Sequence, residues 1–226
     1  MQRLAAALLV VFAALATIPE ARAAQSFAEG HDYFVLSPTQ STTVPAGKIE
    51  VMEVFSYACP ACNGFQPAME RLRKSLPANA QVVLLPAAFN TAEDWPMFQR
   101  AYFTAQILGV AERTHQAIFD AVWKGGELAV TDPSTHRLKD PQPTLEDAAR
   151  TYARLAGVKP EEFLATARSF SVDMKMKAAD AQIVAMQIPG TPSILVNGKY
   201  RVNMDSLGTD GLIEIVKFLV AKESGH

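Results

Sequence analysis

Cysteine is nearly absent from this chain: 226 residues contain only two, Cys59 and Cys62. That scarcity excludes a disulfide-dense scaffold, so the fold has to stand on a hydrophobic core, which a chain of this length is ample to bury. An excess of charge of either sign is missing too, with 21 basic residues against 23 acidic ones and a formal net charge of −2. This balance gives no sign of a nucleic-acid or membrane-surface partner. Internal repeats and low-complexity tracts are lacking, so the chain reads as one non-repeating succession of elements. The apolar run at the start of the chain is shorter than the ~20 residues a bilayer span needs.

That opening run has another meaning. Arg3 supplies a short basic start, Leu4 to Leu15 is apolar, and Ala21-Arg22-Ala23 puts small residues where a signal peptidase reads them. Residues 1–23 are therefore expected to be a signal peptide cleaved after Ala23. No cysteine follows the site, so a lipid anchor is not indicated. Cleavage takes Arg3, Arg22 and Glu20 from those 21 basic and 23 acidic residues, leaving a net charge of −3. Export leads to an oxidising compartment, the periplasm, where a cysteine pair can exist as a disulfide.

After a lead-in at Ser26 to His31, read as flexible, residues 32–36 suggest a short strand. Residues 38–47 form a loop punctuated by Pro38, Pro45 and Gly47. Residues 48–55 predict a central strand, apolar on both faces from Val51 to Phe55 except at Glu53. The cysteines follow. Phe65, Met69, Leu72 and Leu76 then recur at helical spacing, with Pro67 expected to kink that helix. Residues 81–85 complete a right-handed βαβ unit. A helical stretch extends from residue 91 to 186. Within it Thr144 to Asp147 reads as a capping box, and the last helix, from Val172, is expected to turn Met174, Ala178, Ala181 and Val184 or Ala185 inward. Residues 193–196 and 199–202 form a hairpin around Asn197-Gly198, and Thr209 to Lys222 is a final helix. The pattern is β, βαβ, a block of helices, then ββα.

Cys59-Pro60-Ala61-Cys62 lies at the junction of strand and helix. Pro60 suits the first helical position, which makes Cys59 the N-cap. Its sulfur then meets free backbone N–H groups and the positive end of the helix dipole, which favour thiolate over thiol. A thiolate of low basicity is a good leaving group in disulfide exchange. Cys62, one turn on, is expected to be shielded. Three other readings compete. Zinc needs about four ligands, and His31, His115, His136 and His226 show no ligand spacing. A static disulfide would close a loop too small to reduce chain entropy much. Two inert buried thiols have no need of Pro60 between them. Redox exchange fits the strand–motif–helix context best. Glu53, alone in an apolar strand, is costly unless protonated or paired. Tyr57, Phe65, Trp95, Met97 and Phe98 are candidates to border an apolar peptide-binding surface, with Phe65 and Phe98 read as core. His115 reads as a partly exposed helix residue.

The order βαβ then ββα, with Cys-x-x-Cys opening the first long helix and Thr191-Pro192 before the hairpin, resembles the thioredoxin fold. The helical block, the signal peptide and the Val196-Asn197-Gly198-Lys199-Tyr200 hairpin resemble more specifically the DsbA family of periplasmic thiol:disulfide interchange proteins. The resemblance implies an α/β fold: a thioredoxin-like domain from residues 24–90 and 187–226, carrying an inserted all-helical domain at 91–186. It implies that the Cys59–Cys62 disulfide is donated to newly exported proteins. It also implies that Glu53, six residues before Cys59, relays a proton for Cys62. By the same resemblance Pro192 is cis and faces the cysteines, with the Thr191 backbone free to pair with a bound peptide. The partners implied are reduced exported proteins and a quinone-linked membrane reoxidase of the DsbB kind, with a monomeric enzyme and no nucleic acid. No metal or organic cofactor is needed, because the disulfide is itself the electron acceptor. A reductase or isomerase, and a non-catalytic peptide-binding chaperone, are the alternatives on this fold. Ala61 departs from the family's familiar Cys-Pro-His-Cys, and Thr191 stands where many members have Val. Loss of a hydrogen-bonding, potentially cationic group beside Cys59 predicts a weaker oxidant.

Overall fold

The computed structural model describes residues 26–225; the expected signal peptide, residues 1–23, lies outside them. Five strands make one sheet: β1 (Tyr33–Val35), β2 (Ile49–Phe55), β3 (Ala80–Pro86), β4 (Ser193–Val196) and β5 (Tyr200–Val202), in the spatial order β1-β5-β4-β2-β3. The central strand β2 pairs parallel with β3 and antiparallel with β4, so Glu53 sits between Leu84 and Ile194. Every β2 residue is buried, as its Val- and Ile-rich sequence demands of a strand covered on both faces. Between β2 and β3 runs α1 (Pro60–Ser75), the crossover of a βαβ unit.

The sheet divides two cores. On one side Ile49 and Val51 of β2 pack with Met69 and Leu72 of α1 and with Leu212, Val216 and Leu219 of α7 (Thr209–Glu223). On the other, Met52 and Val54 meet a larger core built by α2 (Trp95–Ile107), α3 (Ala111–Trp123), α4 (Leu145–Ala156), α5 (Pro160–Ala167) and α6 (Phe170–Ala185). These five helices lie between β3 and β4 in the chain. The capping box is present: Thr144 N–H donates to Asp147 at 2.7 Å, and Asp147 N–H donates to the Thr144 hydroxyl at 3.2 Å. Both residues of the hairpin turn have positive φ, Asn197 at 55° and Gly198 at 61°, as a type I′ turn requires. A side chain at Gly198 would drive its Cβ into the Gln40 carbonyl oxygen.

Two sequence expectations fail for physical reasons. The lead-in is not loose: Phe27 is buried against Phe218, with ring centroids 5.5 Å apart, and Ala28 N–H donates to the Asp32 carboxylate at 2.8 Å. The inward face of α6 is also the opposite of the one expected. Val172, Ala179 and Ile183 are buried, whereas Phe170 and Val184 are each 77% exposed and Met174, Ala178, Ala181 and Ala185 are exposed with them. This helix carries apolar stripes on two opposite sides, so periodicity alone does not say which side packs. The neighbouring α2 takes the Val172–Ile183 side.

Candidate active site

β2 ends at Phe55, and a four-residue turn delivers Cys59 to the start of α1. Cys59 N–H donates to Ser56 O at 3.1 Å, and Ala58 N–H to the Ser56 hydroxyl at 3.3 Å. Cys59 is extended (φ −80°, ψ 117°), Pro60 opens the helix, and the Cys59 sulfur accepts the Cys62 N–H at 3.3 Å. It is therefore an N-cap, as expected. Both cysteines are free thiols and both are buried, Cys62 completely. The Thr191–Pro192 peptide bond is cis. Across the gap the Cys59 sulfur lies 3.4 Å from Thr191 O, so the strand–helix junction and the loop before β4 meet at this sulfur.

The two thiols are driven apart electrostatically. Hydrogen bonding from the Cys62 thiol, against the opposing effect of burial, lowers the Cys59 pKa from 9.0 to about 6. The Thr191 side chain and the backbone N–H groups of Cys62 and Ala61 add to the effect. Burial and the neighbouring Cys59 push Cys62 well above an ordinary thiol. One sulfur is thus a thiolate at neutral pH and the other a thiol. This is the asymmetry that dithiol–disulfide exchange uses.

The chain matches the family model of the DSBA-like thioredoxin domain over residues 50–219. It is 32% identical to the thiol:disulfide interchange protein DsbA of Pseudomonas aeruginosa, across 88% of this chain and 87% of that protein. Identity to the DsbA of Azotobacter vinelandii is 31%, across 93% and 91%. Its structure is similar to crystal structures of Pseudomonas aeruginosa DsbA (TM-score 0.73, 32% identity, 88% of this chain and 95% of that one) and of the Xylella fastidiosa oxidoreductase DsbA (TM-score 0.73, 33% identity, 86% and 96%). The chain belongs to the DsbA family. Its fold is accordingly the expected thioredoxin fold with a helical insertion, and its chemistry is that of a thiol:disulfide oxidoreductase.

Around this cysteine pair the other predicted residues fall unevenly. Glu53 is fully buried in β2, on the side facing α1. Its Oε1 accepts one hydrogen bond, from Gln66 Nε2 at 3.3 Å, and its Oε2 has no partner. Burial raises its pKa from 4.5 to about 7, with Arg73 and Gln66 opposing and Cys59 adding a little. Gln66 also donates to the Cys62 carbonyl at 3.3 Å, linking the acid to the second cysteine's turn. Sequence reading missed Gln66; its signal is the i, i+4 spacing from Cys62 on the buried side of α1. A second acid, Glu50, is equally buried but differently housed, its Oε2 accepting both the N–H and the hydroxyl of Thr43 at 2.7 Å. Ala61 is exposed and offers no side-chain polar group.

The expected aromatic border is mostly interior. Tyr57, Trp95 and Met97 are buried because the inserted helices close over this end of the sheet; Phe98 is core, as expected, and Phe65, also expected to be core, is half-buried against the core on the α7 side. Phe89 is the open aromatic here, 47% exposed and 6.3 Å from Trp95 between ring centroids. It stands two residues after Ala87, whose N–H donates to Phe55 O at 2.7 Å, so it lies at the cysteine end of the sheet. His115, expected to be partly exposed, is buried, with its Nδ1 3.0 Å from the Tyr57 hydroxyl.

Proposed function

We propose that this DsbA-family protein is a periplasmic dithiol oxidase that donates its Cys59–Cys62 disulfide to newly exported proteins. The observation that carries the reading is the N-capping Cys59 sulfur, held as a thiolate beside a Cys62 that stays protonated. A substrate thiolate attacks Cys59 Sγ, forming a mixed disulfide and breaking the Cys59–Cys62 bond. The departing Cys62 sulfur takes a proton, supplied by Glu53 or by water. A second substrate thiolate then attacks the substrate sulfur of the mixed disulfide and expels Cys59 as a stabilised thiolate. The substrate's two thiols have lost two electrons and two protons; the enzyme's disulfide has gained both electrons, Cys62 has taken one proton, and the other goes to solvent because Cys59 stays a thiolate. The exposed Phe89 and the Thr191 backbone are the groups this reading assigns to apolar and extended segments of the substrate, alongside Pro192.

In this reading the protein works as a monomer, and a quinone-linked membrane partner of the DsbB kind removes the electrons. Residues 1–23 direct export, with cleavage after Ala23; mass spectrometry of the mature N-terminus checks that point. No helix among the described residues is long and apolar enough to cross a membrane. Oxidative refolding of a reduced model protein tests the function: wild type accelerates it, and Cys59→Ser abolishes the acceleration while leaving the fold intact. Refolding assistance that survives in Cys59→Ser would point to a chaperone instead. A potential near the roughly −270 mV of thioredoxin-type reductants would point to a reductase. The apolar Ala61 favours a milder oxidant within this reading.

A further inference from the structure

One helical row converges on the redox turn. His115, Phe119 and Trp123 stand at i, i+4 and i+8 of α3, so they share a face. All three touch Tyr57, the residue two places before Cys59. The Tyr57 hydroxyl lies 3.0 Å from His115 Nδ1, its ring meets Phe119 edge-on at 5.0 Å between centroids, and its carbonyl accepts the Trp123 indole N–H at 2.8 Å. Tyr57 is thereby gripped at side-chain tip, ring and backbone from one helix of the inserted block. The next residues form the N-cap, whose bond from Cys62 N–H to the Cys59 sulfur is 3.3 Å long.

A packing role alone does not account for His115. Its Nε2 is buried with no hydrogen-bond partner, and a buried unpaired ring nitrogen costs free energy that an apolar side chain of similar size avoids. Burial, with Arg73 contributing, also lowers its pKa from 6.5 to about 3, so the ring stays neutral and its bond to Tyr57 does not titrate in the working range. A fixed, pH-insensitive hydrogen bond suits a residue that holds another in place.

We propose that the His115–Phe119–Trp123 row positions the redox turn, fixing Tyr57 and through it the N-cap geometry that sets the redox equilibrium of the Cys59–Cys62 pair. The row acts through Tyr57 and touches no reacting atom. This deepens the thiol-exchange reading and rests on Cys59 being the redox thiol, but not on the direction of exchange or on Glu53. A turn that drifts weakens the bond to the Cys59 sulfur, destabilises the dithiol form and makes the protein a weaker oxidant.

The test compares wild type with Tyr57→Phe, His115→Leu, His115→Gln, Trp123→Phe and the double variant Tyr57→Phe/His115→Leu. Equilibrium with glutathione and the pH midpoint of thiolate absorbance are read for each, with thermal unfolding of the oxidised form as the measure of structure. Tyr57→Phe, His115→Leu and Trp123→Phe are each expected to shift the glutathione equilibrium about threefold or more towards the disulfide form, with a higher thiolate midpoint. The double variant is expected to go little further than either single, and His115→Gln, which keeps a hydrogen-bonding group towards Tyr57, to stay within about twofold of wild type. Variants that lower thermal stability but leave both redox readouts unchanged would overturn the proposal, as would fully additive shifts. A wild type that fails to equilibrate with glutathione would instead defeat the thiol-exchange reading itself.

Discussion

If Cys59 is a stabilised thiolate, the reduced protein should gain stability with pH in a way that the oxidised protein does not. The folded pKa of about 6 lies below the ordinary 9.0, so the folded dithiol form binds fewer protons than its unfolded chain between those values. The resulting stabilisation is complete above pH 9 and is lost as pH falls through 6. The full difference corresponds to about 4 kcal/mol. Only part of it is present at neutrality: almost none at pH 5, about 1 kcal/mol at pH 7 and about 3 kcal/mol at pH 8. Above pH 9 the buried Cys62 works in the opposite direction, since its unfolded counterpart ionises and it does not. Urea unfolding of reduced and oxidised protein from pH 5 to 8 therefore isolates Cys59. Glu53 and the surface carboxylates are present in both forms and largely cancel in the difference. The reduced-minus-oxidised stability should rise by about 1 kcal/mol between pH 5 and 7, and reduced Cys59→Ser should show no such rise. A flat or falling difference in wild type would refute the thiolate assignment, and with it the chemical basis of disulfide donation.

Restoring a ring nitrogen beside the sulfur with Ala61→His should make the protein more oxidising, by about tenfold in the glutathione equilibrium for every ~30 mV gained; an unchanged equilibrium would show that the position is neutral. Glu53, raised from 4.5 to about 7, costs the folded state nothing below pH 4.5 and up to about 3 kcal/mol above pH 7. Glu53→Gln should accordingly stabilise at pH 8 but not at pH 4, and stopped-flow measurement of mixed-disulfide formation should show slower release of Cys62; a pH-independent change in stability would argue against a burial-raised acid. On α6, Ile183→Ala should cost about 2–4 kcal/mol in urea unfolding, while Phe170→Ser should stay within about 0.5; the reverse order would mean that the other face of the helix is packed.

The local chemistry of the site was legible because it depends on neighbours in the chain. Pro60 directly after Cys59 is enough to predict an N-cap, and the cap predicts which thiol ionises. Glu53 in an apolar strand is enough to predict a perturbed acid, since strand position already implies burial. The capping box of α4 and the Asn197-Gly198 turn follow from residues three or fewer positions apart. Contacts between distant segments left no comparable trace. His115 looked like an ordinary helix residue because nothing near it in sequence reveals that Tyr57, 58 positions away, ends against its ring. The two apolar stripes of α6 were equivalent until α2 packed on one of them.

By itself, then, the sequence determined the order of elements, the polarity of the cysteine pair and the membership of the chain in its family, all matters of residue type, spacing and local geometry. Only the tertiary structure decided what surrounds the pair. It brought Thr191 within 3.4 Å of the Cys59 sulfur across 132 residues of chain, placed Gln66 between Glu53 and the Cys62 turn, and closed the helical block over Tyr57. The physical reason is that hydrogen bonds and burial act through space: a residue's propensity and period specify its own element, while its partner is chosen by how whole elements pack.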